Sequence, residues 1–166
     1  MALALRDVPL TAIYASPMKR AVVTAEAIAK YHKLKIKQEH GLRELHVGEL
    51  EGMSLENFSK GFTQFLVDLQ EQGEELTFKG GEKLHDFRER VWRSVEKIVK
   101  ENPDGCVALV SHYFVTATIV CTALGLPISH LVRIRIQPSS QTVLEFVAGC
   151  PARLLLLSDI CHLGEK

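Results

Sequence analysis

A chain of 166 residues in which 46% are apolar has the size and apolar content for one domain with a two-layer core, which excludes a disordered segment. Twenty acidic side chains balance twenty basic ones, so a nucleic-acid or anionic-membrane surface is not expected, and any basic site must be a local pocket. Cys106, Cys121, Cys150 and Cys161 form no CxxC pair or metal-finger spacing. They read as reduced residues of a cytoplasmic protein, with Cys106 and Cys121 acting as small buried hydrophobes.

In chain order, MALALRDVPL carries both an acid and a base by residue seven and no long apolar run, so it is not expected to be a signal peptide. Ala2 to Arg6 reads as the last turn of a helix closed by Asp7 and Pro9. Thr11 to Ala15 reads as a short strand and Ser16 to Tyr31 as a helix. Ser16 is expected to cap that helix, Pro17 to take its first position, and Ala21, Ala25, Ile28 and Ala29 to form its core face. Leu34 to Gln38 alternates as a strand does, and Glu39 to Gly52 reads as a glycine-bearing loop of mixed charge.

Leu55 to Glu71 places Leu55, Phe58, Phe62, Phe65, Leu66 and Leu69 at helical spacing, within a cap-like segment of about 54–79. The Gly80-Gly81 pair turns the chain into an amphipathic helix from Leu84 to Lys100, with Leu84, Phe87, Val91, Val95 and Ile98 on one face. After a turn at Asn102 to Gly105, Cys106 to Ser111 is an apolar run of strand length, as for a strand buried on both faces.

Tyr113 to Leu124 follows as a helix, and Leu131 to Gln137, Thr142 to Val147 and Arg153 to Leu157 read as strands. Gly105 to Val132 contains no Asp, Glu, Lys or Arg, which is long enough to span a bilayer. Ser111, His112, Tyr113, Thr116 and Thr118 interrupt it, however, and Gly125 and Pro127 break its end, so a buried strand and helix fit better and no membrane partner is expected. The alternation predicts an α/β fold, a mainly parallel sheet with helices on both faces.

Ligands of open α/β sheets bind outside the carboxyl ends of the parallel strands. Ser16 and Arg20 follow the first such end, Ser111 and His112 follow the apolar strand, and Arg43, Glu44 and His46 lie on the loop after the second strand. Gly80, Gly81 and Glu82 open another helix and offer N–H groups. An arginine, a histidine, helix N-termini and a loop carboxyl group suit a phosphate ester. Taken singly, Arg20 reads equally as a solvated helix residue, His112 as a structural hydrogen-bonding group, Glu44 as a surface acid and Glu82 as a helix-start acid. The convergence of strand ends is what singles out the set. His32, His40, His46, His85, His130 and His162 have no metal-ligand spacing, and no metal site is expected.

Five blocks, in order, resemble the histidine phosphatase superfamily with its phosphoglycerate mutase-like fold. They are AIYASPMKRAVVTAEAIA, LRELHVGELEG, GGEKLHDFRERV, VALVSHYFV and LLLLSDICHL. Short loops favour the small phosphatase branch, which includes broad-specificity and α-ribazole phosphatase-like enzymes. The resemblance implies a phosphomonoester hydrolase working through a phosphohistidine without metal or organic cofactor, on a small-molecule phosphate ester or inorganic phosphate. It implies that Arg20 binds the phosphoryl group and that His112 stabilises charge on it. Glu44 becomes the general acid, Glu82 sits at the pocket rim, and Ser16 shapes the phosphate-binding turn. Tyr113 and Phe114 stand where the family usually has small or polar residues, which either narrows the pocket or favours an aromatic leaving group.

The family's Arg-His-Gly block, which carries the phosphorylated histidine, has no counterpart in this sequence. The resemblance therefore implies a single domain over 1–166 lacking the first strand of its sheet, with impaired covalent phosphoryl transfer. Sheet edges left open are expected to close up or to pair two copies as a homodimer. The alternative expectation is a non-catalytic phosphate-binding or interaction module.

Overall fold

The computed structural model describes residues 1–52 and 55–164, without the side chains of 55–60 and 62. The expected start of the cap at Ser54, and the core positions Leu55, Phe58 and Phe62, lie outside what is described.

The short apolar run Ala12–Ala15 (β1) is flanked by two parallel neighbours, Ile36–Gln38 (β2) and Val107–Val110 (β3), in the order β2-β1-β3. The register places Ile13 beside Ile36 and Ala108, and Ala15 beside Gln38 and Val110. The ladder runs on past the strand ends, because Ser16 N donates to Val110 O (2.9 Å) and Glu39 N donates to Ala15 O (2.9 Å). All three strands thus end at one edge.

Side chains alternate across the sheet, as the period of two requires. Ile13 and Ala15 join a cluster with Ala25 and Ile28 of helix Lys19–His32 (α2; the turn Ala2–Leu5 is α1), with Leu5 and Val110 at its margin. Ala12 and Tyr14 face the larger cluster built by Leu55–Gln72 (α3), Leu84–Glu101 (α4) and Tyr113–Ala123 (α5). In α4 the residues expected on the core face, Leu84, Phe87, Val91, Val95 and Ile98, are all buried. Helices on both faces of a parallel sheet give the α/β architecture the sequence predicts.

Several local expectations are corrected. Val107–Val110 is half-buried along its whole length, because among the described residues it pairs with β1 alone and so is an edge strand. Leu131 to Gln137 is not a strand. Ile128–Arg133 is a 3₁₀ turn that buries Ile128 and Leu131, three apart, and the backbone after it is met by side chains: Tyr113 Oη donates to Ile134 O (3.0 Å) and Gln137 N donates to Ser158 Oγ (2.8 Å).

The last two strands, Gln141–Glu145 (β4) and Arg153–Asp159 (β5), form an antiparallel pair separate from the parallel sheet. Leu66 is exposed rather than core, whereas Phe65 and Leu69 are buried. Cys106 is exposed because it precedes the edge strand, where its carbonyl accepts from Thr11 N. All four thiols are free, and burial pushes that of Cys121 up to about 11. Among the described residues no helix is long and apolar enough to cross a membrane.

Candidate active site

The three strand ends deliver Ser16 and Arg20, the loop bearing Glu44, and His112 to one place. Ser16 does not cap α2. The helix begins at Lys19 behind an extended Met18, and Ser16 Oγ instead accepts from Met18 N at 3.3 Å and meets His112 Nε2 at 2.8 Å. Arg20, in the first turn, donates from Nε to His112 Nδ1 at 3.1 Å.

A guanidinium can only donate, so Nδ1 must be the bare nitrogen, and Nε2 carries the proton that is donated to Ser16 Oγ. His112 is only 9% exposed. Burial first, then the charges of Arg20 and Arg90, lowers its pKa to about 4. It is therefore a neutral imidazole of fixed tautomer at physiological pH.

Glu44 lies at the N-terminus of α5. Its Oε1 accepts from Leu45 N (3.0 Å) and its Oε2 from Phe114 N (3.4 Å). Burial raises its pKa against those N–H groups and against the nearby charge of Arg20. A carboxyl group held towards its protonated form beside an arginine is suited to giving a proton to an alkoxide.

Arg20, Glu44 and Glu82 line a cavity of about 640 Å³, while Ser16 and His112 are buried behind it. Arg20 and Arg43 also border an open cleft over the start of α2, shared with Lys19. Among the described residues no group of three or more His, Cys, Asp or Glu could hold a metal ion.

Sequence reasoning missed Arg90, on the polar margin of the α4 stripe. All five of its N–H donors are used. Nε meets Glu82 Oε2 (2.9 Å), Nη1 meets Gly41 O and Arg43 O (both 2.9 Å), and Nη2 meets Glu44 O (3.1 Å) and Glu82 Oε1 (2.6 Å). Glu82 Oε1 in turn accepts from His46 N at 2.8 Å, so the carboxylate holds the acid-bearing loop through Arg90.

Two of the three N–H groups expected to be free at the Gly80-Gly81 turn are taken, since Gly81 N donates to Phe78 O (2.8 Å) and Glu82 N to His46 O (3.0 Å). A Cβ on Gly48 would meet Lys79 O at 2.0 Å, and one on Gly81 would meet His46 O at 2.3 Å, so both glycines are needed for the two loops to touch. The only sequence signal for Arg90 is its place between buried Phe87 and Val91, over whose Phe87 ring its guanidinium lies at 4.8 Å.

Two outcomes follow from these contacts. A histidine whose pKa is depressed in the folded state binds fewer protons than the unfolded chain as pH falls from about 6.5 to about 4. Folding should therefore lose stability over that window, by roughly 3 kcal/mol if the whole shift is realised. Chemical denaturation of wild type and His112→Asn between pH 7 and 4 will show this slope in the wild type and a smaller one in the variant. In an imidazole NMR titration, Arg20→Met should raise the His112 pKa.

Arg90→Lys cannot reach three carbonyls and a carboxylate together. Amide exchange at His46 should accelerate by about tenfold or more, with little change at Val95 and Ile98. Unchanged exchange at His46 would remove Arg90 from its positioning role.

Comparison with known proteins matches residues 1–159 to the histidine phosphatase superfamily (branch 1). Phosphoserine phosphatase 1 of Hydrogenobacter thermophilus is 29% identical over 156 residues, covering 94% of this chain and 74% of that protein. A probable phosphoglycerate mutase GpmB of Erwinia tasmaniensis is 29% identical over 138 residues, covering 81% of this chain and 63% of that protein. The solved structure of Bacillus stearothermophilus YhfR superposes with a TM-score of 0.84 at 27% identity, covering 98% of this chain and 80% of that one. With nearly its full length matched by the family and its strand ends bringing an arginine, a histidine and a glutamate together, this chain belongs to the histidine phosphatase superfamily, branch 1.

Proposed function

We propose that this chain is a single cytoplasmic domain over 1–166 that binds phosphate monoesters in the Arg20–Glu44 cavity. The observation that carries the reading is the direct contact of Arg20 with a buried neutral His112 at the common end of three parallel strands. Arg20 holds the phosphoryl oxygens through Nη1 and Nη2, which among the described residues have no other partner. A bound dianion favours protonation of His112 at Nδ1, which replaces the hydrogen bond accepted from Arg20 Nε with a new donor, and that N–H then stabilises charge on the phosphoryl group. Glu44 gives its proton to the leaving oxygen. Ser16 and Glu82 serve this site indirectly, Ser16 by fixing the imidazole and Glu82 by holding Arg90.

The parent reaction forms a P–N bond to a histidine as the P–O bond to the alcohol breaks, and water then releases phosphate. This sequence contains no Arg-His-Gly triplet, and His112 already has both ring nitrogens engaged. Phosphoryl transfer by the chain as given is accordingly slow, and binding without turnover is the alternative reading.

Calorimetric titration should show inorganic phosphate and vanadate binding, weakened about tenfold or more by Arg20→Met. Absence of binding at millimolar phosphate would refute the reading. An acid-labile phosphohistidine formed from an aryl phosphate would refute the impairment. Any turnover should fall as pH rises through the raised Glu44 pKa, because the acid must hold its proton.

We also propose a homodimer through sheet edges. Among the described residues β3 has β1 as its only ladder neighbour, and β4–β5 exposes Val143, Leu155 and Leu157. Light scattering should give twice the monomer mass at micromolar concentration and a shift to monomer for Leu155→Lys, whereas a clean wild-type monomer at high concentration would refute it.

A further inference from the structure

The cavity is charged at its anion-binding end, but much of the rest of its lining is apolar. Phe65, Phe78 and Phe114 contribute to it together with Leu45, Val47 and Leu50. The rings form one connected set. Phe65 and Phe78 lie 5.5 Å apart and tilted by 31°, and Phe114 meets Phe65 edge-on at 6.0 Å and 79°. Tyr113 also meets Phe114 edge-on, at 5.0 Å and 86°, so the Phe114 ring has two aromatic neighbours.

Several polar groups of the lining are already used. Glu82 and Arg90 bond each other, and His46 Nε2 faces Glu51 Oε1 at 3.6 Å. Phe114 also carries the N–H that donates to Glu44 Oε2, so the aromatic wall and the acid are fixed by the same residue.

We propose that this site selects phosphate monoesters of planar aromatic alcohols, of the phenol and naphthol class, over esters of hydroxylated or carboxylated aliphatic alcohols. The inference rests on the phosphate-binding reading of Arg20 above. An aryl group entering the cavity leaves water for contact with three rings and three aliphatic side chains, with edge-to-face geometry available at Phe114. A polyhydroxylated leaving group would lose much of its water against the same wall, where Glu82, Arg90 and His46 are already engaged. The competing ligand chemistry is a leaving group bearing a carboxylate. Arg43 lines the cavity and, among the described residues, makes no side-chain hydrogen bond or ion pair.

The test uses non-hydrolysable ligands on the full chain, so that turnover plays no part. Affinities of 1-naphthylphosphonate, phenylphosphonate, methylphosphonate and the phosphonate analogue of phosphoserine are compared by calorimetry. The expected result is naphthyl tighter than methyl by about tenfold or more, with phenyl between them and the phosphoserine analogue no tighter than methyl. Phe114→Leu should shrink the naphthyl-to-methyl ratio and Phe114→Ala should shrink it further. If Phe114→Ala fails to fold, the wild-type series and the leucine variant decide. Equal affinities, or a phosphoserine analogue that outcompetes the naphthyl ligand, overturn the aromatic preference while leaving Arg20 as the anion site. If no phosphonate binds, both readings fall.

Discussion

The pairing of β1 between two parallel neighbours is the constraint on which the site depends. Parallel pairing puts three carboxyl ends at one edge, and the register brings Ser16 level with the end of β3 and Glu39 level with the end of β1. Arg20, Glu44 and His112 lie far apart in sequence and become neighbours only through that pairing. A slip of one residue would turn Ile13 and Ala15 away from the α2 cluster, so burial of those side chains also fixes the position of these three residues.

Above this platform the acid-bearing loop is held by polar contacts instead of packing alone. The planar fork of Arg90 collects the carbonyls of Gly41, Arg43 and Glu44, and Glu82 both neutralises it and takes the His46 N–H. Ser111 Oγ adds a bond to Leu42 O (2.8 Å) from the end of β3, next to His112. Loop and strand end are thereby fixed relative to each other before any ligand arrives. Such preorganisation matters because stabilising a phosphoryl group depends on groups already in place when charge develops.

Much of the frame is legible in the sequence. The apolar spacing of α4 and the run of β1 each follow from a period that burial imposes, and the five ordered blocks point to the family. What the sequence hides has physical reasons. The alternation of Leu131 to Gln137 looks like a strand, but Ile128 and Leu131 bury at a spacing of three while side chains satisfy the backbone beyond. Ser16 resembles a cap because serine before a helix usually is one, and only the fold reveals His112 as its partner. Arg90 is one charge among many on an amphipathic helix, and no local pattern shows which carbonyls a loop 46 to 49 residues earlier will present to it.

The opposite pKa shifts of His112 and Glu44 have one origin. Burial disfavours the charged form of each, lowering the base and raising the acid, while Arg20 lies close enough to act on both. A phosphate dianion reaching Arg20 would oppose that positive charge. It would favour protonation of His112 and also of Glu44. Binding of the anion thus moves both residues towards their protonated states. The cation in the first turn of α2, unfavourable against the helix dipole by itself, becomes favourable once an anion sits between the two.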